Sequence, residues 1–206
     1  MSYAVNEAFI RLHQKGRIYR KERLVNWSCQ LQSAISDIEV DHKIIEGPTK
    51  MDVPGYASPI QFGQMYQFAY QLSDSEEQIL VSTTRPETVI GDVAVAVHPD
   101  DSRYSKYVGK FVTHPIRQVN IPVIADSKVD QHFGTGNLKY FNLNHQVLLF
   151  IWLNFAGALK ITPGHDLNDF EIAERHGLNL LNIFDNQGRA NENCGIFSVT
   201  LVFFTA

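Results

Sequence analysis

Val5, Ala8, Phe9 and Leu12 recur at helical spacing and Gly16 follows Lys15, so residues 2–15 are expected to form an amphipathic helix on which something packs. Short extended runs follow at 18–20 and 24–27, and a polar stretch leads to Asp37-Ile38-Glu39-Val40. Prolines and glycines between Pro48 and Pro59 mark turns. Beyond Gln61 the pattern becomes one of strand-length runs, at 65–72, 78–84, 92–97, 111–114, 121–125 and 159–162. Residues 103–107 predict one helical turn ended by Gly109. Residues 168–176 predict a helix with Asp166 or Asn168 as N-cap, a Glu171–Arg175 pair one turn apart and Gly177 as its stop. The pattern implies an α+β fold built on a small, mostly antiparallel β-barrel with a few peripheral helices. No internal repeat is visible.

Composition narrows the partners more than the fold. At 206 residues, 44% apolar and 19% charged, the chain has ordinary globular composition and can bury the core of one domain with flanking material. Acidic residues outnumber basic ones by 22 to 18, so electrostatics give nucleic-acid binding no support, and most phosphates of an RNA partner must be held elsewhere. Cys29 and Cys194 form no C-x-x-C pair, which argues against a zinc site or a disulfide framework and for a reducing compartment. Residues 1–20 lack the apolar core of a signal peptide, and Glu7 and sparse serine argue against a transit peptide. A cytoplasmic location is expected, with a mitochondrial one as the alternative.

Three blocks carry candidate chemistry: Thr83-Thr84-Arg85-Pro86-Glu87-Thr88, Gly134-Thr135-Gly136, and Lys160-Ile161-Thr162-Pro163-Gly164-His165-Asp166 with Asp169. Singly, each also fits a plain structural role: a strand end turning into a proline-started helix, a tight turn, and acidic residues at a helix start. Lys160 and Thr162 lie two apart on an expected strand and so share a face. Asp166 and Asp169 lie three apart across a helix start, where free N–H groups and the dipole favour carboxylates. The eight histidines are scattered, no Ser-His-Asp arrangement is offered, and no cluster has metal-ligand spacing.

In this order the blocks resemble the editing domain of the class I synthetases for valine, isoleucine and leucine. Leu24-Val25-Asn26-Trp27-Ser28-Cys29 followed by Ala34-Ile35-Ser36-Asp37-Ile38-Glu39-Val40 is similar to the valyl-tRNA synthetases in particular, at the exit from the catalytic domain. The resemblance implies a fragment with residues 1–36 as periphery of the catalytic domain, 37–198 as the editing domain and 199–206 as an atypical tail. It implies hydrolysis of threonyl-tRNA(Val) by water, with no covalent enzyme intermediate. Threonine is nearly isosteric with valine, and a hydrophobic pocket cannot strongly reject an added hydroxyl, a limit documented for this very family. By resemblance, Asp169 anchors the substrate ammonium while Lys160, Thr162 and Asp166 line the same pocket as catalytic residues. Arg85, Thr88, Thr83, Thr84 and His165 bind substrate. Phe133 is either the pocket-wall aromatic or a buried core residue. Editing needs no cofactor and no metal. ATP belongs to the parent enzyme, whose His-Ile-Gly-His and Lys-Met-Ser-Lys-Ser signatures do not occur in this sequence. The implied partners are the aminoacyl end of tRNA(Val) and the catalytic and anticodon-binding domains of the parent; no membrane is involved. The alternatives are a non-catalytic fragment and a small β-barrel module that binds an amino acid or nucleotide.

Residues 137–157 interrupt the resemblance. Deleting them restores Gly-Thr-Gly-Ala-Leu-Lys-Ile-Thr-Pro, and 140–159 carries no Asp, Glu, Lys or Arg. The apolar stretch 147–153 is too short for a membrane span and fits a buried strand or short helix. A translated intron explains it better: the 21 residues keep frame, Gly136-Asn137 can encode a GT donor, and Phe155-Ala156-Gly157 an AG acceptor. If the segment is translated, an outward-bulging loop would spare the site, whereas a strand-like run competing for the barrel would displace Lys160 and Thr162; sequencing the mature transcript tests the intron directly.

Overall fold

The computed structural model describes residues 2–41, 43–45, 47–53, 56–130 and 157–198. Phe133, the Gly134–Gly136 turn, residues 137–156 and the tail from 199 lie outside the described residues.

Six strands form the central sheet: β5 (Tyr66–Leu72), β6 (Gln78–Thr83), β7 (Ala94–Val97), β8 (Phe111–Thr113), β9 (Asn120–Ala125) and β10 (Ala158–Ile161). Their order is β10-β7-β9-β8-β5-β6, and the outer strands β6 and β10 approach each other, so the sheet curls into a nearly closed barrel. Every neighbouring pair is antiparallel except β7 and β9, which run parallel with Val95 opposite Val123. A parallel pair needs a long crossover, and residues 98–119, including β8, supply it. The expected α+β barrel is present, its strands within a residue or two of the hydrophobic pattern.

The continuous apolar run of β7 follows from burial on both faces. Val95 and Val97 point into the barrel with Tyr70, Leu72, Val81, Val112 and Val123. Ala94 and Ala96 point outward against Ile161, Ile172 and Ala173. The last two belong to helix α2 (Leu167–His176), for which the strand's small alanines leave room. Asp166 is the N-cap, accepting from the backbone N–H of Asn168 at 2.8 Å and of Asp169 at 3.1 Å, and Gly177 ends the helix at φ 63°. The expected Glu171–Arg175 pair gives way to stronger tertiary partners: Arg175 lies 2.7 Å from the buried Asp126 carboxylate and Glu171 pairs with Lys128. Both partners lie at or beyond the end of β9, so these pairs tie α2 to the barrel.

Helix α1 (Ser2–Gln14) forms as expected, yet none of its residues is buried, and Val5, Phe9 and Leu12 are exposed. The packing expected on its apolar face is therefore not supplied by the described residues. Residues 18–20 are irregular; the extended run at 24–27 becomes β1 (Asn26–Ser28), paired with β2 (Ser33–Ile35). A second hairpin joins β3 (Thr49–Met51) to β4 (Ile60–Phe62). Trp27 Nε1 donates to the Asn186 carbonyl at 2.9 Å, so the first hairpin docks on the loop after α2.

That loop presses on the third sequence block. A Cβ at Gly164 would meet the Leu181 carbonyl oxygen at 2.4 Å, a backbone atom with no side-chain freedom to yield. Gly164→Ala is expected to lower stability by about 1–3 kcal/mol, the usual cost of overpacking. Gly47→Ala, with nothing within 4 Å of its Cβ, serves as the control. Denaturant midpoints of the two variants check this, and equal midpoints would refute the close approach.

Candidate functional site

The barrel face of β10 carries Ala158 among the core residues and, two positions on, Lys160. Thr162 continues the same face just past the strand end, and its N–H donates to Asp169 Oδ2 at 2.8 Å. Lys160 Nζ donates to Thr88 Oγ1 at 2.8 Å, lies 3.3 Å from Asp92 Oδ1 and touches Thr162 Oγ1. Thr162 Oγ1 donates in turn to Asp92 Oδ1 at 2.5 Å. Tyr70 closes the set from β5, its hydroxyl donating to Asp92 Oδ2. With side-chain exposures of 7% for Lys160 and 0% for Asp92, this is a buried ion pair whose remaining donors and acceptors are filled by neutral hydroxyls.

The Thr83–Thr88 block reaches the same place from the opposite side. Pro86 starts a short 3-10 helix (Pro86–Gly91), which points Thr88 inward and delivers Asp92 just after its end. Thr83 Oγ1 accepts from the Arg85 N–H at 3.0 Å and is buried, while Thr84 is exposed. Arg85 Nη1 donates to the His165 carbonyl at 2.9 Å and Nε to Glu87 at 3.3 Å, joining the first and third blocks directly. Burial pushes the Glu87 carboxyl above its ordinary value, against its own backbone N–H and the Arg85 charge.

Asp169 and His165 carry the largest shifts among the sequence-nominated residues. Burial, then the neighbouring Asp166 carboxylate, pushes Asp169 up to about 7, against the Thr162 N–H and the Lys160 charge. One oxygen is held by Thr162; among the described residues the other, Oδ1, accepts no hydrogen bond. His165 is held down to about 4 by burial and by the Arg85 and Lys160 charges, so it is neutral. Its Nε2 accepts from the Ile183 N–H at 3.1 Å, and its ring meets Phe184 edge-on at 4.6 Å. With that lone pair committed, His165 pins the loop after α2 and has no Nε2 base to offer. The structure therefore brings together Arg85, Thr88, Lys160, Thr162, Asp166 and Asp169. Lys160 keeps its place on β10 in register with Val95.

Sequence reasoning missed Asp92 and Tyr70. The available signal was an acid, Asp92, heading an otherwise wholly apolar run, Val93 to Val97, on a strand buried on both faces. Among the described residues no group of His, Cys, Asp and Glu is arranged to hold a metal, and no helix is long and apolar enough to cross a membrane.

The family model for class I tRNA synthetases of the I, L, M and V type matches residues 1–204. The chain belongs to the class I tRNA synthetases. It is 50% identical to the valine–tRNA ligase of Homo sapiens over 190 residues, which is 91% of this chain and 13% of that one. The Caenorhabditis elegans enzyme is 49% identical, with 96% and 17% covered. A mitochondrial valine–tRNA ligase of Saccharomyces cerevisiae is 45% identical, with 95% and 16% covered. The chain thus spans less than a fifth of the length of these synthetases. A solved ternary complex of the Agrobacterium radiobacter K84 agnB2 LeuRS with tRNA and LeuAMS aligns at a TM-score of 0.42 and 17% identity, covering 86% of this chain and 27% of that one.

The Asp169 shift yields a stability signature. Below the unfolded value of 3.8 the carboxyl is neutral in both states and costs nothing. As pH rises through the interval up to about 7 the unfolded state ionises first, so stability falls, and above that the penalty is complete. That interval corresponds to about 4 kcal/mol. Asp169→Asn keeps an oxygen for Thr162 and removes the penalty, so its midpoint should exceed that of the unmutated chain at pH 8 and converge with it near pH 4. A lower midpoint at pH 8 would contradict the burial argument.

Proposed function

We propose that this chain carries the editing site of a valine–tRNA ligase, within residues 37–198, and hydrolyses the ester of threonyl-tRNA(Val). The observation that carries the reading is the Asp169 carboxylate. It is buried, one oxygen is fixed by the Thr162 N–H, and no hydrogen bond reaches the other among the described residues. Such a group is a receptor for a substrate ammonium, whose charge would draw the carboxyl back to its ionised form. Lys160, Thr88 and Thr162 then present a fixed polar array beside it, with which the threonine hydroxyl can exchange hydrogen bonds and the valine methyl cannot. Arg85 and the exposed Thr84 stand on the rim, where the terminal ribose and adenine are held.

The reaction is attack of water on the ester carbonyl. The bond to the ribose oxygen breaks, threonine leaves with the carboxylate and the tRNA regains its hydroxyl. No side chain forms a covalent intermediate: the Lys160 ammonium is ion-paired and the His165 lone pair is taken. Positioning and electrostatic stabilisation of the developing oxyanion supply the rate. Neither metal nor ATP takes part.

Threonyl-tRNA(Val) and valyl-tRNA(Val) incubated separately with the whole chain test this. Threonine should be released at least about 100-fold faster than valine, a floor below the roughly 10⁴- to 10⁵-fold that a site built to hydrogen-bond a hydroxyl can reach. EDTA should have no effect. Asp169→Ala should cost about 2–5 kcal/mol in kcat/KM, the usual loss on truncating one member of a buried charge pair. Binding without hydrolysis would leave a binding module, and neither binding nor hydrolysis a non-catalytic fragment.

A further inference from the structure

We propose that Tyr70 is a positioning residue for this hydrolysis, acting through the Asp92 carboxylate on Lys160 and Thr162; the inference rests on the editing reading above. Tyr70 stands in the middle of β5 at 0% exposure, packed in the barrel core with Leu72, Ile79 and Val81. A phenol there needs a partner for its hydroxyl, and it donates to Asp92 Oδ2. The two oxygens of Asp92 divide their work: Oδ2 faces the barrel wall, while Oδ1 meets Thr162 Oγ1 at 2.5 Å and Lys160 Nζ at 3.3 Å. Lys160 passes the constraint on to Thr88 at 2.8 Å.

The terminal torsion of an aspartate is broad, so a carboxylate plane is set by its partners and not by its rotamer. On the Oδ1 side those partners are a long lysine and a rotatable hydroxyl. Tyr70 is the rigid one. The Asp92 backbone is fixed separately, since Arg117 Nη2 donates to its carbonyl. His114 holds the turn bearing Arg117, with Nδ1 accepting from the Ile116 and Arg117 N–H groups at 3.1 and 3.0 Å. Its Nε2–H donates to the Val89 carbonyl at 2.7 Å, inside the 3-10 helix that carries Thr88. Burial, reinforced by the Asp92 charge, holds the Tyr70 phenol far above its ordinary value, so it stays a donor at every working pH. Tyr70 lies within the barrel core with its hydroxyl given to Asp92, so it acts through Asp92 and its removal should act on turnover and on Lys160.

The test is Tyr70→Phe in the whole chain, followed by circular dichroism, single-turnover deacylation of threonyl-tRNA(Val) and the proton–nitrogen signal of the Lys160 ammonium. The fold is expected to persist, and the rate constant to fall roughly 10- to 100-fold, the scale of a small misplacement of reacting groups. Apparent affinity should change by less than roughly twofold. The Lys160 signal should shift, and Tyr70→Phe should add no further loss on an Asp92→Asn background. A tyrosine with only a packing role would lower the melting temperature and leave both the rate and the Lys160 signal in place, which overturns the inference; so does a shifted signal with an unchanged rate. Should Tyr70→Phe fail to fold, 3-fluorotyrosine at position 70 keeps the shape and strengthens the donor, and an unmoved Lys160 signal then overturns it. Absence of hydrolysis by the unmutated chain sinks the editing reading and with it the catalytic part of this inference, and the Lys160 signal then decides only whether Tyr70 orients the Asp92–Lys160 pair.

Discussion

Lys160 and Asp92 place opposite charges out of water at the same end of the barrel, with side-chain exposures of 7% and 0%. Removing an ion from water costs several kcal/mol even after relaxation, so each charge is tolerable only while the other is in contact and the leftover donors and acceptors are filled. Thr88, Thr162 and Tyr70 fill them. These five residues come from β5, the Pro86–Gly91 helix and its exit, and β10 with its continuation, segments far apart in sequence. Satisfying one ion pair therefore ties β10 to β5 and to the helix that follows β6.

The arrangement around Asp169 has the opposite economy. The carboxyl is buried beside Asp166, so two acids lie close together, and the Thr162 N–H and the Lys160 charge only partly offset this. The resulting rise to about 7 marks a carboxylate whose charge is destabilised and would be relieved by a neighbouring cation. The proposed ammonium contact draws on this imbalance, while the Lys160–Asp92 pair beside it is internally neutral.

The register of β10 shows how the barrel holds that geometry at the point where the family resemblance is interrupted. Ala158, the first residue beyond the 137–157 segment, pairs with Val97, and Lys160 with Val95. A slip by one residue would turn Lys160 outward against α2 and drive Ile161 into the charge cluster, so burial on both faces enforces the pairing. Lys160 and Thr162 are not displaced, the outcome expected where no strand competes with β10 for its place beside β7.

Much of this was legible in the residues. Alternating and continuous apolar runs located the six barrel strands, because burial on one or both faces leaves a periodic trace. The N-cap Asp166 and the stop Gly177 bounded α2 because helix ends have local chemistry. The first and third blocks nominated Arg85, Thr88, Lys160, Thr162, Asp166 and Asp169. What the chain could not announce were partnerships between distant segments. Asp92 reads as a strand-start acid and Tyr70 as a core aromatic until folding brings their oxygens together. Glu171 and Arg175 satisfy a helical spacing rule, yet pair with Lys128 and Asp126, because a buried carboxylate outbids a solvated one. The apolar face of α1 was visible as a pattern, and only the fold showed that no described residue covers it. Periodicity and caps are set by neighbours along the chain; ion pairs, tautomers and shifted acids are set by neighbours in space.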